Sequence, residues 1–281
     1  MRLLLDLTDI SNSDISYKVS KYPDGQQSIT INSFDVTQKV QLSSRMNSFR
    51  DVELIICANQ TLKEMGAEKI ELYVPYFIGA RSDRKFGEGQ TNYLKNVICP
   101  IINSQGFSKV IVLDPHSDVL EACLNNFHKN TNVGLVRYAI SNIKHNTESK
   151  IGIVSPDAGA LKKIFDIAKV FDIENVTTAS KVRDMVTGNI VRTELPTMDL
   201  RGIEHLIIID DICDGGRTFI ELARAIKEIT DIPLHLIVTH GIFSAGFEEL
   251  EKYFESIYTT DSIHEDVKEL GATKVNQLFI F

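Results

Sequence analysis

Residues 205–218 read HLIIIDDICDGGRT, and this stretch decides the fold class. A short run of isoleucine and leucine ends in two adjacent acids, Asp210 and Asp211. Continuous apolar runs of this length are typical of strands that are buried on both faces of a parallel sheet. Four other runs have the same character and also end in polar clusters: IELYVPYF (70–77), KVIVLDPHSD (109–118), KIGIVSPDAG (150–159) and LHLIVTHGIFS (234–244).

Segments with helical spacing lie between these runs. Residues 49–66 carry apolar side chains at helical spacing and end at Gly66, a residue suited to closing a helix. Residues 218–230 show the same pattern, and residues 92–106 show it less clearly because Pro100 interrupts it. This alternation of strand and helix predicts an α/β fold in which each sheet is mainly parallel and flanked by helices.

Both halves of the chain show the same order of strand, acidic loop and helix. We therefore predict two similar α/β domains, residues 1–140 and 141–281, separated near the polar segment 141–150. We leave open whether the last strand returns to the first domain. Because open parallel sheets bind ligands beyond the carboxyl ends of their strands, the polar clusters lie where ligands are expected.

Charge and composition exclude several classes of protein. The net charge is −8 and no run of lysine or arginine occurs, so the basic face that nucleic acid requires is not expected. The four cysteines form no Cys-x-x-Cys pair, which argues against a zinc site or a disulfide framework and fits a reducing cytosol. No apolar run reaches the roughly 20 residues that span a bilayer. Asp6 and Asp9 interrupt the apolar N-terminus, so we expect a cytoplasmic protein without a signal peptide or a membrane partner.

The strongest local signal follows the first quoted strand. Asp214, Gly215, Gly216, Arg217 and Thr218 open a predicted helix directly after the acidic pair. Glycines let backbone N–H groups converge on an anion, and a helix N-terminus adds about half a positive charge. These features favour a phosphate-binding loop. A plain strand-to-helix turn with capping acids is the alternative that the spacing leaves open.

Four other polar clusters carry candidate groups of the same kind. Arginine is suited to phosphate oxygens and carboxylates are suited to hard cations, although charged loops and satisfied histidines are common without any function. The candidates are Arg81, Ser82 and Asp83 in residues 74–85, His116 in LDPHSD (113–118), Asp157 in SPDAG (155–159), and Lys181 and Arg183 in SKVRD (180–184).

Taken together and in this order, these segments resemble the ribose-phosphate pyrophosphokinases, also called phosphoribosyl pyrophosphate synthetases. The resemblance runs from about residue 17 to residue 263, and it implies two tandem phosphoribosyltransferase-type domains. YPDGQ (22–26) is similar to the adenine loop of that family, residues 75–85 to its ATP segment, and LDPHSD to its histidine-bearing metal and ATP loop. SPDAG, SKVRD and DDICDGGRT are similar to its second-domain signature, its catalytic loop and its ribose-phosphate loop.

The resemblance implies a role for each matching residue. Lys181 and Arg183 would be catalytic, because they would stabilise charge on the transferring diphosphate. ATP would be bound by Tyr22, Asp24, Gln26, Arg81, Ser82, Asp83 and His116. The phosphorylated ribose would be bound by Asp210, Asp211, Asp214, Gly215, Gly216, Arg217 and Thr218. His116 and Asp157 would hold Mg²⁺, the implied cofactor.

The implied reaction is an in-line attack by the anomeric hydroxyl of ribose 5-phosphate on the β-phosphorus of ATP, which yields phosphoribosyl pyrophosphate and AMP. Catalysis of such transfers is mostly positioning and charge stabilisation, so no strong nucleophile is expected. The family also implies a homodimer or hexamer.

The chain departs from the family pattern in three places. The usual first helix before residue 22 is missing, so oligomer contacts and regulation are not carried over. Gln26 and Ser82 stand where the family usually has glutamate and glutamine. The ribose-phosphate loop has Gly215, Gly216 and Arg217 where the family usually has Thr-Ala-Gly.

The changed loop leaves two acceptors open. Arg217 either replaces the lost threonine as a donor to ribose 5-phosphate, or the loop admits a 5′-extended acceptor such as ADP-ribose, whose product would serve NAD synthesis. Three rivals belong to other classes: a non-catalytic regulatory homologue, a phosphoribosyltransferase, and a nucleic-acid or scaffold protein. The paired acids together with Lys181 and Arg183 argue against the first, and the ATP segment argues against the second.

Overall fold

Two α/β units make up the chain, each built on a parallel sheet. The computed structural model describes residues 2–85, 87–144, 149–183 and 190–281, and for 181–183 and 190–193 it describes the backbone alone. One unit contains residues 1–131 with Phe281, and the other contains residues 132–280. The predicted fold class is confirmed, since both sheets are parallel and have helices beside them.

The first unit contains a five-stranded parallel sheet in the order β1-β4-β5-β6-β7. A separate antiparallel hairpin, β2-β3, packs on the first helix through Gln27, whose Nε2 donates to the carbonyl of Arg50 at 2.5 Å. The elements are β1 (Arg2–Asp6), β2 (Tyr17–Lys21), β3 (Gln27–Ile31), β4 (Lys39–Ser43), α1 (Phe49–Glu64), β5 (Ile70–Tyr73), α2 (Cys99–Ser104), β6 (Lys109–Leu113), α3 (Val119–Cys123) and β7 (Phe127–Asn130), with a 3-10 turn at Ile10–Asn12 and a π-helical turn at Leu94–Ile98.

The second unit contains a six-stranded parallel sheet in the order β15-β14-β13-β12-β8-β9, and a two-stranded antiparallel pair, β10-β11. Its elements are α4 (Val133–Ile143), β8 (Ile151–Ser155), α5 (Leu161–Val170), β9 (Val176–Thr178), β10 (Ser180–Arg183), β11 (Ile190–Glu194), β12 (His205–Cys213), α6 (Arg217–Lys227), β13 (Leu234–Gly241), α7 (Glu248–Tyr253), β14 (Ser256–Thr260) and β15 (Val275–Leu278).

The apolar strands of the second unit are buried on both faces, as their sequence predicts. Ile207 and Ile209 of β12 pack on one side with residues of α4 and α5. Leu206 and Ile208 pack on the other side with residues of α6 and α7. Successive side chains of a strand point to opposite faces, so an unbroken apolar run supplies two cores at once.

The division between the units falls before α4, whereas the predicted boundary at residues 140 and 141 lies inside this helix. Its residues Leu135, Val136 and Ala139 pack in the core of the second unit with strands β8 and β12, so the helix is part of that unit. β15 pairs with β14 in the sheet of the second unit, so the last strand does not return to the first sheet.

The segment 92–106 differs from its prediction because Pro100 does not interrupt the helix. A π-helical turn comes first and runs directly into α2, and Pro100, which has no N–H to donate, stands in the first turn of α2. Among the described residues, no helix is long and apolar enough to cross a lipid bilayer. All four cysteines are free thiols.

A buried histidine lies at the amino end of β13. His235 is 4% exposed, and its two ring nitrogens lie 3.2 Å from Nδ1 of His205 and 2.7 Å from Oγ of Ser256. Burial, with His205 and Lys227 adding to the effect, lowers the pKa of His235 to about 4. The unfolded chain takes up this proton at about pH 6.5, so the folded state loses relative stability as the pH falls below that value.

Because of this histidine, we expect the free energy of unfolding to fall by up to about 3 kcal/mol when the pH is lowered from 7 to 4. Urea denaturation at a series of pH values measures the loss. His235→Gln should flatten the pH dependence between pH 6.5 and pH 4, whereas His128→Gln, on exposed β7, should leave it unchanged. Equal pH profiles for wild type and His235→Gln would contradict this account.

Candidate functional site

The acidic pair lies at the carboxyl end of β12, near the middle of the six-stranded sheet. Asp211 is 6% exposed and Asp210 is half-buried. The backbone N–H of Asp211 donates to Oδ1 of Asp210 at 2.9 Å. Burial, followed by the adjacent Asp211 carboxylate, raises the pKa of Asp210 well above its ordinary value. Two carboxylates are therefore held together where water is partly excluded.

The glycine loop follows the acidic pair and leads directly into α6. Gly216 has φ of 77°, in the left-handed region, and a Cβ at this position would lie 3.0 Å from the Leu250 side chain. Glycine is favoured here for both reasons. α6 starts at the next residue, Arg217, so the loop lies at a helix N-terminus whose first N–H groups have no intrahelical acceptor. This arrangement can bind an anion.

The turn after β13 supports this loop. The backbone N–H groups of Ile242 and Phe243 donate to the carbonyl of Cys213 at 2.8 and 3.1 Å. Oγ of Ser244 donates to Oδ1 of Asp214 at 2.5 Å. The ring of Phe243 packs against Phe247 with centroids 4.9 Å apart. The position of Asp214 thus depends on a second loop that is distant in sequence.

Arg217 makes an ion pair along its own helix. Its Nε lies 2.7 Å from Oε1 of Glu221, one turn further on, and its side chain is 74% exposed. The pair directs the guanidinium toward the second turn of α6. The guanidinium of Arg217 therefore lies beside its own helix, paired with Glu221.

Asp157 begins the loop between β8 and α5, at the same edge of the sheet as the acidic pair because β8 and β12 are parallel neighbours. Its Oδ1 accepts the N–H groups of Gly159 at 3.0 Å and Ala160 at 3.2 Å. The carboxylate therefore stabilises the turn that precedes α5. Its oxygens suit a hard cation, although the described residues contain no group of three or more histidine, cysteine or acidic side chains that could hold a metal ion.

The predicted catalytic pair lies on β10. Lys181 stands opposite Thr193 and Arg183 opposite Ile190 in the antiparallel pairing with β11. The side chains of both residues, and residues 184–189, lie outside the part of the chain that the structure describes.

The adenine loop of the prediction forms the turn of the β2-β3 hairpin. Tyr22 is 54% exposed, and its backbone N–H donates to the carbonyl of Gln26 at 2.9 Å. Oδ1 of Asp24 accepts the N–H of Gln26 at 3.1 Å. A hydrogen-bonded turn thus presents an aromatic ring and two polar side chains to solvent.

Two other predicted segments of the first unit lie side by side, because they follow the neighbouring strands β5 and β6. Oδ2 of Asp83 accepts a hydrogen bond from Oγ of Ser117 at 2.7 Å, and this bond joins the segment with Arg81 and Ser82 to the loop of His116. His116 and Arg81 are exposed and Ser82 is half-buried. The structure therefore brings the predicted ATP residues 81–83 and 116 together at one sheet edge.

Known proteins are similar to this chain over nearly its whole length. The chain is 28% identical over 267 residues to the ribose-phosphate pyrophosphokinase of Sulfurisphaera tokodaii, which covers 93% of this chain and 89% of the relative. It is 26% identical to that of Methanobrevibacter smithii, with 94% and 91% covered. The chain is therefore similar over nearly its whole length to proteins named ribose-phosphate pyrophosphokinase. The predicted resemblance is confirmed, and with it the prediction of an enzyme of this type.

The fold is also that of a solved structure. The phosphoribosylpyrophosphate synthetase of Mycobacterium smegmatis matches with a TM-score of 0.84 and 14% identity, over 99% of this chain and 94% of the other. No protein-family model matches the chain. The relatedness therefore rests on whole-length similarity and on the fold.

The sequence alone does not single out three residues that lie near the carboxyl ends of the strands in the two parallel sheets. Ser117 and Ser244 lie in quoted segments, but a hydroxyl gives no signal before its partner is known. Lys163 of α5 lies 3.8 Å from Oδ1 of Asp211, and a lysine on an amphipathic helix is ordinarily a solvated residue. Only the short distance from Lys163 to the acidic pair identifies this lysine as a candidate site residue.

The two loop glycines should respond differently to substitution. Gly216→Ala should destabilise the protein by about 1–2 kcal/mol, because it puts a Cβ into the left-handed region and against Leu250. Gly215→Ala is the matched control, since its Cβ would meet Ser244 and Ala245 only at 3.8 and 3.9 Å. Urea denaturation measures both variants, and equal losses would show that the loop does not need this backbone conformation.

Proposed function

We propose that the chain transfers the β,γ-diphosphate of ATP to the anomeric 1-hydroxyl of ribose 5-phosphate, giving phosphoribosyl pyrophosphate and AMP. One observation carries the proposal: the acidic pair and a left-handed glycine loop meet at the N-terminus of α6. A phosphorylated sugar needs both parts, acceptors for its hydroxyls and donors for its phosphate. The relatives named ribose-phosphate pyrophosphokinase support the same chemistry.

In this proposal Asp210 and Asp211 accept hydrogen bonds from the ribose hydroxyls. The backbone of Asp214, Gly215 and Gly216 and the first N–H groups of α6 bind the 5-phosphate, with Thr218 in the first turn beside them. Hydrogen bonds to charged groups are roughly twice as strong as neutral ones, so this geometry would hold the sugar by both ends.

ATP is bound by groups of the first unit in this proposal. Tyr22 stacks on adenine, and its exposure leaves the ring accessible to the base. Asp24 and Gln26 contact the polar edge of the base. Arg81, Ser82, Asp83 and His116 contact the phosphates.

His116 in the first unit and Asp157 in the second are each proposed as Mg²⁺ ligands, and the cation would supply positive charge to the phosphate oxygens. The carboxylate of Asp157 is the hard oxygen donor that this cation prefers. Lys181 and Arg183 would stabilise the charge that develops on the transferring diphosphate. The acidic pair would orient the ribose so that its anomeric hydroxyl points at the β-phosphorus.

Lys181→Ala should fold normally and lose about 10²–10³ in kcat, because it removes one charge-stabilising donor. AMP release measured by chromatography gives the rate, and urea denaturation checks the fold. Lys268→Ala, an exposed lysine in the loop before β15, should keep full activity. Near-normal turnover of Lys181→Ala would rule out its catalytic role.

A second candidate keeps the chemistry and changes the acceptor to a 5′-extended one such as ADP-ribose. The observation that favours it is the Arg217–Glu221 ion pair at 2.7 Å, which directs the guanidinium along α6. With Gly215 in place of the family's threonine, the loop carries one side chain fewer beside a substituent on the 5-phosphate. The product would then serve NAD synthesis.

The two acceptors are distinguished by AMP release from ATP and Mg²⁺ with either ribose 5-phosphate or ADP-ribose. We expect the higher kcat/KM with ribose 5-phosphate. Glu221→Gln, which frees Arg217, should then lower the KM for this acceptor if Arg217 is the replacement donor. A higher kcat/KM with ADP-ribose would establish the second candidate, and no AMP with either acceptor would favour the regulatory homologue. A cytoplasmic location stays a prediction from the cysteine pattern and the N-terminus. A homodimeric or hexameric assembly stays a prediction from the resemblance.

A further inference from the structure

A hydrogen-bonded turn precedes α5. Oδ1 of Asp157 accepts the N–H groups of Gly159 and Ala160, and α5 begins at Leu161. The third residue of the helix is Lys163. Asp157 thus orders the turn that leads into the helix on which Lys163 lies.

Lys163 extends to the acidic pair. Its Nζ lies 3.8 Å from Oδ1 of Asp211, and the two side chains are 22% and 8% exposed. The distance exceeds that of a charge-assisted hydrogen bond. The ammonium therefore lends positive charge to this oxygen without a direct hydrogen bond to it. The neighbouring Lys162 is exposed to solvent.

Two adjacent, partly buried carboxylates stay ionised more readily when a positive charge lies near them. Burial and the negative charge of Asp211 raise the pKa of Asp210, while Lys163 acts in the opposite direction. A carboxyl group that gains a proton loses acceptor capacity and becomes a donor. A nearby cation favours the ionised form and so preserves both acids as acceptors.

We propose that Lys163 is a positioning residue that keeps Asp210 and Asp211 as charged acceptors for the ribose hydroxyls, and thereby sets the affinity for the acceptor sugar. This inference rests on the proposed function. Lys163 acts through the acidic pair and does not touch the reacting atoms. Its effect should therefore appear in the binding of the sugar, with little change in ATP binding.

The kinetic test uses three variants. Lys163→Met removes the charge at nearly constant length and should raise the acceptor KM by about tenfold, with the KM for ATP unchanged. Lys163→Arg keeps the charge and should restore most of the affinity. Lys162→Met, on the solvent side of the same helix, should behave as wild type. An unchanged acceptor KM in Lys163→Met, or no rescue by arginine, would overturn the proposal.

A binding measurement separates this proposal from the function on which it rests. Calorimetric titration of the intact protein with ribose 5-phosphate, and with ADP-ribose, requires no turnover. Lys163→Met should weaken binding about tenfold in the wild-type background but hardly at all in Asp211→Asn, because the lysine acts through that carboxylate. Equal losses in both backgrounds would overturn the role of Lys163. Lysine-dependent binding without AMP release would instead refute the proposed transfer and leave the sugar site in place.

Discussion

Two adjacent carboxylates at the end of a buried strand are the constraint on which the second unit depends. β12 carries apolar side chains toward both cores, and at Asp210 and Asp211 the same strand passes from apolar packing to acidic groups. Like charges so close together are unfavourable unless the surroundings compensate. The parallel sheet makes this compensation possible, because the loops that follow the neighbouring strands lie at the same edge as the acidic pair.

The loops at this edge depend on one another. Gly216 permits the left-handed backbone that leads into α6, and the turn after β13 binds the carbonyl of Cys213 and the carboxylate of Asp214. An anion would thus be bound by backbone groups whose positions are fixed from two sides. Such preorganisation matters more than any single side chain, since phosphate and diphosphate groups are recognised by geometry and charge.

Asp157 shows how one residue can have a structural and a chemical part together. Its Oδ1 accepts two backbone N–H groups in the turn before α5, while the resemblance assigns the carboxylate to the metal. Arg217 shows the reverse case. Its sequence position predicts a phosphate contact, and in the structure its guanidinium pairs with Glu221. A motif match therefore locates a residue, whereas its partners decide what the side chain can do.

The sequence by itself determined the fold class, the main strands and the loops that form the candidate site. Short apolar runs that end in polar clusters are typical of strands buried on both faces of a parallel sheet, and the polar ends of such strands meet at one edge. Tertiary structure alone decided the unit boundary at α4, the Lys163–Asp211 and Ser244–Asp214 contacts, and the direction of Arg217. The reason is physical: periodicity records which side chains must leave water, but a lysine or serine acquires its role only from a partner that is distant in the chain.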